Sequence, residues 1–256
     1  MGQNWDALPA CGPACDLLSF EPMQSGLSAN LTAVQGRIDA ACRRTGRDRG
    51  EVKLVAVSKT HPAGVIDQAI EAGLSVFGEN KVQEAESKIV EVGRTAAEWH
   101  LIGHLQSNKA RKAVALFDVI HSVDSVELAG RLERICLEEQ REKLSVFVQV
   151  DLAGEETKSG IGESDLRELV DFLKTCKCLK FDGLMVLPPY FDEREATRPF
   201  FQKLRAIRDR LAIENAFANG RGELSMGMSH DFEIAIDEDA TVVRVGTAIF
   251  GERTNV

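Results

Sequence analysis

The sequence lacks the features that would place a protein in a membrane or on a nucleic acid. No apolar run approaches the roughly 18–20 residues that a membrane-spanning helix requires. No early segment joins a charged start to an apolar core, as a secretory signal would. The net charge is −9, and the basic residues are dispersed rather than clustered. Nucleic acid and anionic membranes are therefore not expected partners, whereas a small anionic ligand needs only a local group of donors.

Cysteine and histidine form no recognisable metal-binding pattern. The six cysteines fit no standard spacing of zinc ligands, and a chain of 256 residues can build its core without disulfides. His100 and His104 lie on a predicted strand, where residues i and i+4 are about 13 Å apart and cannot share one ion. We therefore predict no metal site and a reducing, cytoplasmic setting. Cys11 and Cys15 flank a Gly-Pro turn and are interpreted as part of an unstructured leader rather than as a redox pair.

The amino-terminal part of the chain is predicted to be an extension followed by a helix. Residues 1–25 show no clean periodicity, so we predict that they are flexible and that residues 26–256 form one domain. From Leu27 to Thr45 apolar residues recur at helical spacing, and Gly46 ends this helix together with the charged run that follows.

After this helix, short apolar runs alternate with amphipathic segments, and no long linker separates them. The predicted strands are residues 52–58, 75–79, 99–104, 119–123, 145–152, 183–187, 224–228 and 241–245. The predicted helices between them include residues 63–72, 82–92, 125–141, 163–175 and 197–212. The strands are mostly apolar rather than alternating, which is typical of parallel strands covered on both faces.

Eight strands with helical crossovers indicate an α/β protein, a single-domain (β/α)8 barrel of the TIM type. A doubly wound open sheet fits the same periodicity and is the alternative. Two features favour the barrel. The first strand is not followed by the Gly-x-Gly-x-x-Gly turn of dinucleotide-binding folds. The chain ends soon after the eighth strand, which leaves the extra N-terminal helix to cover the gap there.

A lysine stands at the end of the first predicted strand, where the catalytic face of such a barrel lies. Lys59 follows the apolar run 54–57 and Ser58. A lysine amine in its neutral form can make an imine with an aldehyde, and burial favours that form. The alternative is an ordinary solvated lysine at a strand end.

Two segments far downstream are typical of the backbone cups that bind phosphate. Residues 225–229 combine two serines with a glycine and precede a short predicted helix, whose N-terminus favours anions. Gly246 and Thr247 offer backbone N–H groups and a hydroxyl at the end of the eighth strand. Phosphate sites of barrels often follow strands seven and eight. The alternative is ordinary turn chemistry, in which serine, threonine and glycine are common.

Two further polar residues are candidates for the same pocket. Arg244 shares a strand face with Gly246, and inside a barrel it needs a partner. That partner is either a ligand group such as a pyridine nitrogen or a local carboxylate, Asp182 or Asp237. Asn80 ends the second strand and could either touch a ring hydroxyl or cap the following helix.

Taken in order, these segments resemble the pyridoxal phosphate homeostasis family, whose barrel is similar to that of alanine racemase (fold type III). The match runs from about Leu27 to Arg253, and its diagnostic segments are residues 57–60, 77–84, 99–109, 183–185, 224–229 and 243–251. The resemblance implies pyridoxal 5'-phosphate held as a Schiff base on Lys59, phosphate contacts after strands seven and eight, and Arg244 facing the pyridine nitrogen. The cofactor-binding residues that it implies are Lys59, Asn80, Ser225, Met226, Gly227, Arg244, Gly246 and Thr247.

The resemblance implies a protein that buffers the cofactor and delivers it to apo PLP enzymes, with effects on amino-acid balance and without a catalytic residue. The alternatives are a weak racemase or decarboxylase of amino acids, and a lyase whose Lys59 attacks a sugar phosphate directly. Tyr190, the only tyrosine, lies in a loop, and five residues follow Gly251. We therefore expect neither the second acid–base group nor the β domain of alanine racemase, and we expect a monomer.

Overall fold

The structure is a computed structural model that describes residues 21–154 and 159–252, with side chains from residue 26 onward. Cys11, Cys15 and most of the predicted extension lie outside the described residues. Helix α1 (Glu21–Thr45) is already formed where the description begins, so the helix predicted from Leu27 starts earlier than its apolar periodicity indicated.

Eight parallel strands close into a barrel. They are β1 (Lys53–Val57), β2 (Val76–Glu79), β3 (Glu98–Leu101), β4 (Val119–Val123), β5 (Leu144–Gln149), β6 (Leu179–Met185), β7 (Glu223–Ser225) and β8 (Val242–Val245). Each strand pairs with the next one, and β8 pairs with β1, where Arg244 stands opposite Val55. This closure confirms the predicted barrel and excludes the open-sheet alternative.

Helices connect the strands and form the outer layer. They are α2 (Ala63–Glu71), α3 (Val82–Val92), α4 (Ala110–Leu116), α5 (Val126–Glu138), α6 (Glu163–Thr175), α7 (Arg198–Ile213), α8 (Phe232–Asp237) and α9 (Thr247–Phe250). The bounds of α4 and α9 were not predicted, because segments of 7 and 4 residues are too short to show a clear helical period. Within the described part of the chain, no helix is long and apolar enough to cross a bilayer.

Strands β1, β3, β5, β6 and β7 end earlier than predicted, and a glycine explains the ends of β3 and β7. After β3, a Cβ at Gly103 would lie 2.2 Å from the carbonyl oxygen of Asn80, so the chain crosses the end of β2 where only glycine fits. After β7, Gly227 takes a φ of +89°, which breaks the extended conformation. The residues that follow both glycines are thereby directed to the rim of the barrel.

The core consists of two parts. The barrel interior is filled by Val55, Val119, Phe147, Met185 and Val242. Met185 is fully buried. A larger apolar cluster lies between the strands and the helices and includes Phe77, Trp99, Phe117, Phe201 and Phe232.

Helix α1 covers the last part of the barrel, as its position in the sequence predicts. Its Arg37 pairs with Glu233 on α8 at 2.7 Å, and its Arg44 pairs with Asp237 on the same helix at 2.5 Å. The amide of Asn30 donates to the carbonyl oxygen of Ile249 on α9 at 3.1 Å. The extra helix therefore packs on the side of the barrel where α9, a helix of 4 residues, follows β8.

Candidate functional site

A cavity of about 540 Å³ opens at the carboxyl ends of the strands. This is the face where barrel proteins carry their active sites. The residues that line the cavity are Val57, Lys59, Asn80, Ile102, Gly103, His104, Gln149, Ser159, Leu187, Tyr190, Met228, Ser229, His230, Arg244, Gly246 and Thr247. Segments that are distant in the sequence thus line one cavity, and they include the predicted lysine and the end of the eighth strand.

The structure brings five of the eight predicted cofactor-binding residues to the cavity. They are Lys59, Asn80, Arg244, Gly246 and Thr247. Ser225, Met226 and Gly227 are buried beneath it and are not among the lining residues. Strand β7 ends at Ser225, so the chain needs a few more residues to reach the rim, and Met228, Ser229 and His230 occupy that position.

The loop that carries Lys59 is fixed by a buried ionic cluster. The ammonium of Lys88 donates to the Ser58 carbonyl oxygen at 2.8 Å, to Glu79 at 2.8 Å and to Glu84 at 2.7 Å. The Ser58 hydroxyl donates to the same Glu79 oxygen at 2.7 Å. Glu84 in turn accepts the backbone N–H of Thr60, whose φ is +68°. Both neighbours of Lys59 are therefore held in place.

Sequence reasoning missed Lys88, the buried cation that pairs with Glu79. Burial raises the pKa of Glu79, and the charge and hydrogen bond of Lys88 oppose that rise. The available signal was the Glu84–Lys88 spacing of i,i+4 on a helix, which brings opposite charges together. Lys88 is 8% exposed, which is unusual for a lysine and requires a paired environment.

On the opposite side of the cavity, backbone N–H groups converge on a hydroxyl. The Oγ of Ser229 accepts the N–H of Gly246 at 3.2 Å and the N–H of Ala248 at 3.3 Å. Ser229 belongs to the predicted phosphate segment, but it was not among the residues singled out there. Gly227 supports this arrangement from below, because a Cβ on it would lie 2.6 Å from the Cβ of Ala235 on α8.

Arg244 extends from β8 into the interior of the barrel and reaches the cavity. Its guanidinium donates to the Ser225 hydroxyl at 2.7 Å and to the Val186 carbonyl oxygen at 2.9 Å. Burial lowers the pKa of Arg244 to about 10, with the nearby Asp231 opposing the shift. No ion pair to a described carboxylate is formed.

The local carboxylates considered as partners of Arg244 are engaged elsewhere. Asp182 accepts a hydrogen bond from Ser145, and Asp237 pairs with Arg44 and Arg198. The described residues therefore favour a ligand group over a carboxylate as the partner of Arg244.

The rim of the cavity carries polar and aromatic side chains. Asn80 does not cap α3, whose N-cap is Lys81 without a side-chain bond. His104 is half exposed and lies 3.5 Å from Asp124, while Tyr190 is 77% exposed with its ring centroid 5.5 Å from that of His230. His100, in contrast, is buried in the barrel interior, so the two histidines of this segment lie in different environments.

Comparison with known proteins agrees with this geometry. The sequence profile of the family described as "Alanine racemase, N-terminal domain" matches residues 29–254. The chain is 43% identical over 223 residues to the pyridoxal phosphate homeostasis protein of Aquifex aeolicus, covering 87% of this chain and 96% of that protein. The chain belongs to the pyridoxal phosphate homeostasis protein family.

Two further proteins, one curated relative and one solved structure, are similar to this chain over most of its length. The Escherichia coli K12 protein is 41% identical over 238 residues, with 89% of this chain and 97% of that protein covered. The structure of PipY from Synechococcus elongatus, solved with PLP bound, has a TM-score of 0.78 and 39% identity. That comparison covers 88% of this chain and all of PipY.

Proposed function

We propose that this protein binds pyridoxal 5'-phosphate in the cavity at the carboxyl ends of the strands and serves in pyridoxal phosphate homeostasis. The observation that carries the proposal is that Lys59, Arg244 and the Gly246–Thr247 segment line the same cavity. An amine, a buried cation and a set of backbone N–H groups are the partners that an aldehyde, a pyridine nitrogen and a phosphate require. The PLP-bound PipY structure supports this choice of ligand.

The five predicted residues that line the cavity each have a role in this proposal. Lys59 forms the Schiff base with the aldehyde of the cofactor. Arg244 donates to the ring nitrogen and, because arginine stays protonated, keeps that nitrogen unprotonated and weakens the ring as an electron sink. Gly246 and Thr247 hold the phosphate, and Asn80 contacts the ring hydroxyl.

The three buried residues of the predicted set act from beneath the cavity in this proposal. Ser225 holds the guanidinium of Arg244, and Gly227 forms the turn that brings Ser229 to the backbone N–H groups of Gly246 and Ala248. Met226 is fully buried in the apolar cluster between the strands and the helices, and in this proposal it stabilises the segment between Ser225 and Gly227. The cofactor, when bound, supplies an electrophilic aldehyde, and the residues of this chain bind and orient it.

The proposed physiological role is to buffer the cofactor and to deliver it to apo PLP enzymes, which affects amino-acid balance. We propose a monomer in the cytoplasm. The thiols of the described cysteines, Cys42, Cys136, Cys176 and Cys178, are free, as expected in a reducing compartment.

The Schiff base is tested by trapping it. Purified protein is incubated with pyridoxal phosphate, its absorbance is recorded before and after reduction with borohydride, and the reduced protein is analysed by peptide mass spectrometry. We expect a visible absorption band that borohydride removes and a stable label on Lys59, and Lys59→Ala should abolish both. Lys81→Ala removes an exposed lysine close to the cavity and is the matched control, which should keep the label. A label on a lysine other than Lys59 would contradict the assignment.

The phosphate contact is tested at Thr247. Thr247→Val keeps the side-chain volume and removes the hydroxyl, so it should weaken the binding of pyridoxal phosphate much more than that of pyridoxal. Equal weakening of both ligands would show that the hydroxyl does not serve the phosphate.

The second candidate function is a weak amino-acid racemase or decarboxylase that uses the same cofactor. It is favoured by one observation, the presence of Tyr190 and His104 at the rim of the cavity. Steady turnover of a free amino acid that disappears in Tyr190→Phe or His104→Gln would support it. The lyase that acts without a cofactor would instead give no visible band on addition of pyridoxal phosphate.

A further inference from the structure

A chain of hydrogen bonds crosses the interior of the barrel beneath Arg244. The Ser225 hydroxyl, which accepts from Arg244, is 2.9 Å from Nδ1 of His121. The Nε2 of His121 is 2.8 Å from Nδ1 of His100, and the Nε2 of His100 is 2.8 Å from a carboxylate oxygen of Glu98. As whole residues, Ser225, His100 and His121 are each at most 1% exposed. The chain therefore connects the cavity with the amino-terminal end of the barrel.

The two ends of the chain fix the direction of every proton in it. A guanidinium can only donate and an ionised carboxylate can only accept. Glu98 therefore accepts from Nε2–H of His100, which leaves Nδ1 of His100 as an acceptor for Nε2–H of His121. The remaining nitrogen of His121, Nδ1, then accepts the hydroxyl proton of Ser225. With both rings neutral, each group from Arg244 to His100 donates one hydrogen bond to the next group in the direction of Glu98.

The surroundings favour this arrangement. Burial lowers the pKa of His100 and lowers that of His121 well below its ordinary range, so both rings are neutral. The ring of His121 stacks on that of Phe147 with a centroid distance of 4.4 Å and an interplanar angle of 3°, which fixes its orientation. The hydrogen bond from His100 lowers the pKa of Glu98 to about 2, so the accepting end is ionised.

The far end of the chain lies in a second cavity of about 240 Å³ at the amino-terminal ends of the strands, which we call the floor cavity. It is lined by Lys53, Glu98, His100, Asp118, Val119, Ser145, Phe147, Asp182, Glu223 and Val242. Lys53 donates to the same Glu98 oxygen that accepts from His100, at 3.0 Å. Of the carboxylates in this cavity, Glu98 is the one that bonds to the chain.

We propose that Glu98 is the remote counter-charge of Arg244, linked to it by the one-way chain through Ser225, His121 and His100, and that these are positioning residues for the cofactor. Hydrogen bonds in such a chain polarise one another in the dry interior. The negative end makes His121 a stronger acceptor for Ser225, and Ser225 a stronger acceptor for Arg244. A change of charge in the floor cavity is thereby transmitted to the group that faces the ring nitrogen.

The first test uses the unmodified protein without cofactor and examines the chain alone. Nitrogen-15 NMR of the histidine side chains should show His100 and His121 neutral at pH 7, each protonated at Nε2 and unprotonated at Nδ1. A proton on Nδ1 of His121 would reverse the chain and overturn the proposal. This result does not depend on whether Lys59 forms a Schiff base, so it separates a failure of the chain from a failure of the proposed function.

The second test rests on the proposed function and measures pyridoxal phosphate affinity in a double-mutant cycle. Glu98→Gln removes the charge at the floor, and Ser225→Ala cuts the chain below Arg244. We expect Glu98→Gln to weaken binding by about fivefold or more, at the lower end of couplings between linked sites. In the Ser225→Ala background the same substitution should have less than about a twofold effect, the usual limit of independent sites.

The matched control is Glu223→Gln, which removes a carboxylate from the same floor cavity outside the chain. It should change the affinity by less than about twofold in both backgrounds. An equal effect of Glu98→Gln and Glu223→Gln would indicate general electrostatics of the floor and overturn the proposal. Equal effects of Glu98→Gln with and without the Ser225 hydroxyl would overturn it as well. Thermal unfolding shows whether each variant is folded. If a variant is not folded, the NMR test of the unmodified protein decides on the proposal.

Discussion

The cavity has two walls that are stabilised in opposite ways. The lysine wall follows β1 and β2 and carries Lys59, and beneath it the ammonium of Lys88 meets the carboxylates of Glu79 and Glu84 directly. The arginine wall follows β7 and β8, and its guanidinium, on Arg244, is held by a hydroxyl and a carbonyl oxygen. One wall thus neutralises its buried charge locally, whereas the other keeps a cation without an ion pair to a described residue.

The difference matches what each wall is proposed to present. A cation that is fully neutralised by carboxylates, such as Lys88, positions the loop beside it and has little left for a ligand. A buried cation held by neutral oxygens keeps donor capacity and charge for a ligand atom. We therefore expect the stability of the lysine wall to depend most on its buried charges. The stability of the arginine wall should depend most on close packing.

The largest effect is expected from Lys88→Met, which removes the charge of the lysine wall and keeps much of the side-chain volume. Glu79 then becomes a buried carboxylate without a partner, and the free energy of unfolding should fall by about 3–5 kcal/mol. Urea unfolding at pH 7 measures this loss. Because burial already raises the pKa of Glu79, a proton can replace the lost cation in acid, so the loss should shrink as the pH falls.

Lys112→Met is the control for this comparison. Lys112 pairs with Glu86 at 2.6 Å on the surface, and breaking that pair should cost less than about 1 kcal/mol. If the two lysine substitutions destabilise the protein equally, the lysine wall does not depend on its buried charge and the contrast between the walls is wrong.

An intermediate effect is expected from Gly227→Ala on the arginine wall. Gly227 has a φ of +89°, and the added Cβ would lie 2.6 Å from the Cβ of Ala235 and 2.9 Å from the Cα of Phe232. Left-handed strain and overpacking together should lower the free energy of unfolding by about 2–4 kcal/mol. Pyridoxal phosphate affinity should fall as well, because the turn leading to Ser229 must shift.

Gly220→Ala separates strain from packing in this prediction. Gly220 has a similar φ of +83° but no heavy atom within 4 Å of the position of a Cβ. Its substitution should therefore cost only the backbone strain, about 1–2 kcal/mol, and leave affinity unchanged. Equal losses at Gly227 and Gly220 would mean that the arginine wall tolerates overpacking.

The parts of the molecule that the sequence predicted well are those that depend on local pattern. Apolar runs and amphipathic segments define the eight strands and most helices, and parallel closure then brings all strand ends to one face. The positions of Lys59, Gly246 and Thr247 in the cavity follow from that rule alone. The segment 119–123, an apolar run interrupted by His121 and Ser122, was also correctly predicted as a strand.

The parts that escaped prediction depend on partners from distant segments. Lys88 lies in an amphipathic helix, where a lysine is normally solvated, and its burial depends on two partners outside that helix, the carboxylate of Glu79 on β2 and the carbonyl oxygen of Ser58. His121 bonds to Ser225, which is 104 residues away in the chain. The periodicity of a sequence cannot predict such a contact, because the contact depends on where each strand lies in the barrel and on which side chains point inward. Polar groups of the interior are thus the least predictable part of this site.

The smallest effect is expected at the floor cavity, where two glutamates should respond to acid in opposite directions. The His100 N–H lowers the pKa of Glu98 from 4.5 to about 2. A carboxyl group whose pKa is lower in the folded protein than in the unfolded chain stabilises the fold at any pH above its unfolded pKa. That stabilisation is lost as the pH falls through the folded pKa. Glu98→Gln should therefore make the decline of Tm between pH 4.5 and pH 2 less steep.

Glu223 provides the opposite case in the same cavity. Burial raises its pKa above 4.5, so the folded protein binds its proton first and gains relative stability as the pH falls toward 4.5. Glu223→Gln removes that gain, so the Tm of the variant should decline more steeply than that of the unmodified protein over this range. Thermal unfolding across the pH series measures both slopes. If both substitutions changed the slope in the same direction relative to the unmodified protein, His100 would not distinguish Glu98 from its neighbour. The arginine wall would then lack the distant negative charge that sets it apart from the lysine wall.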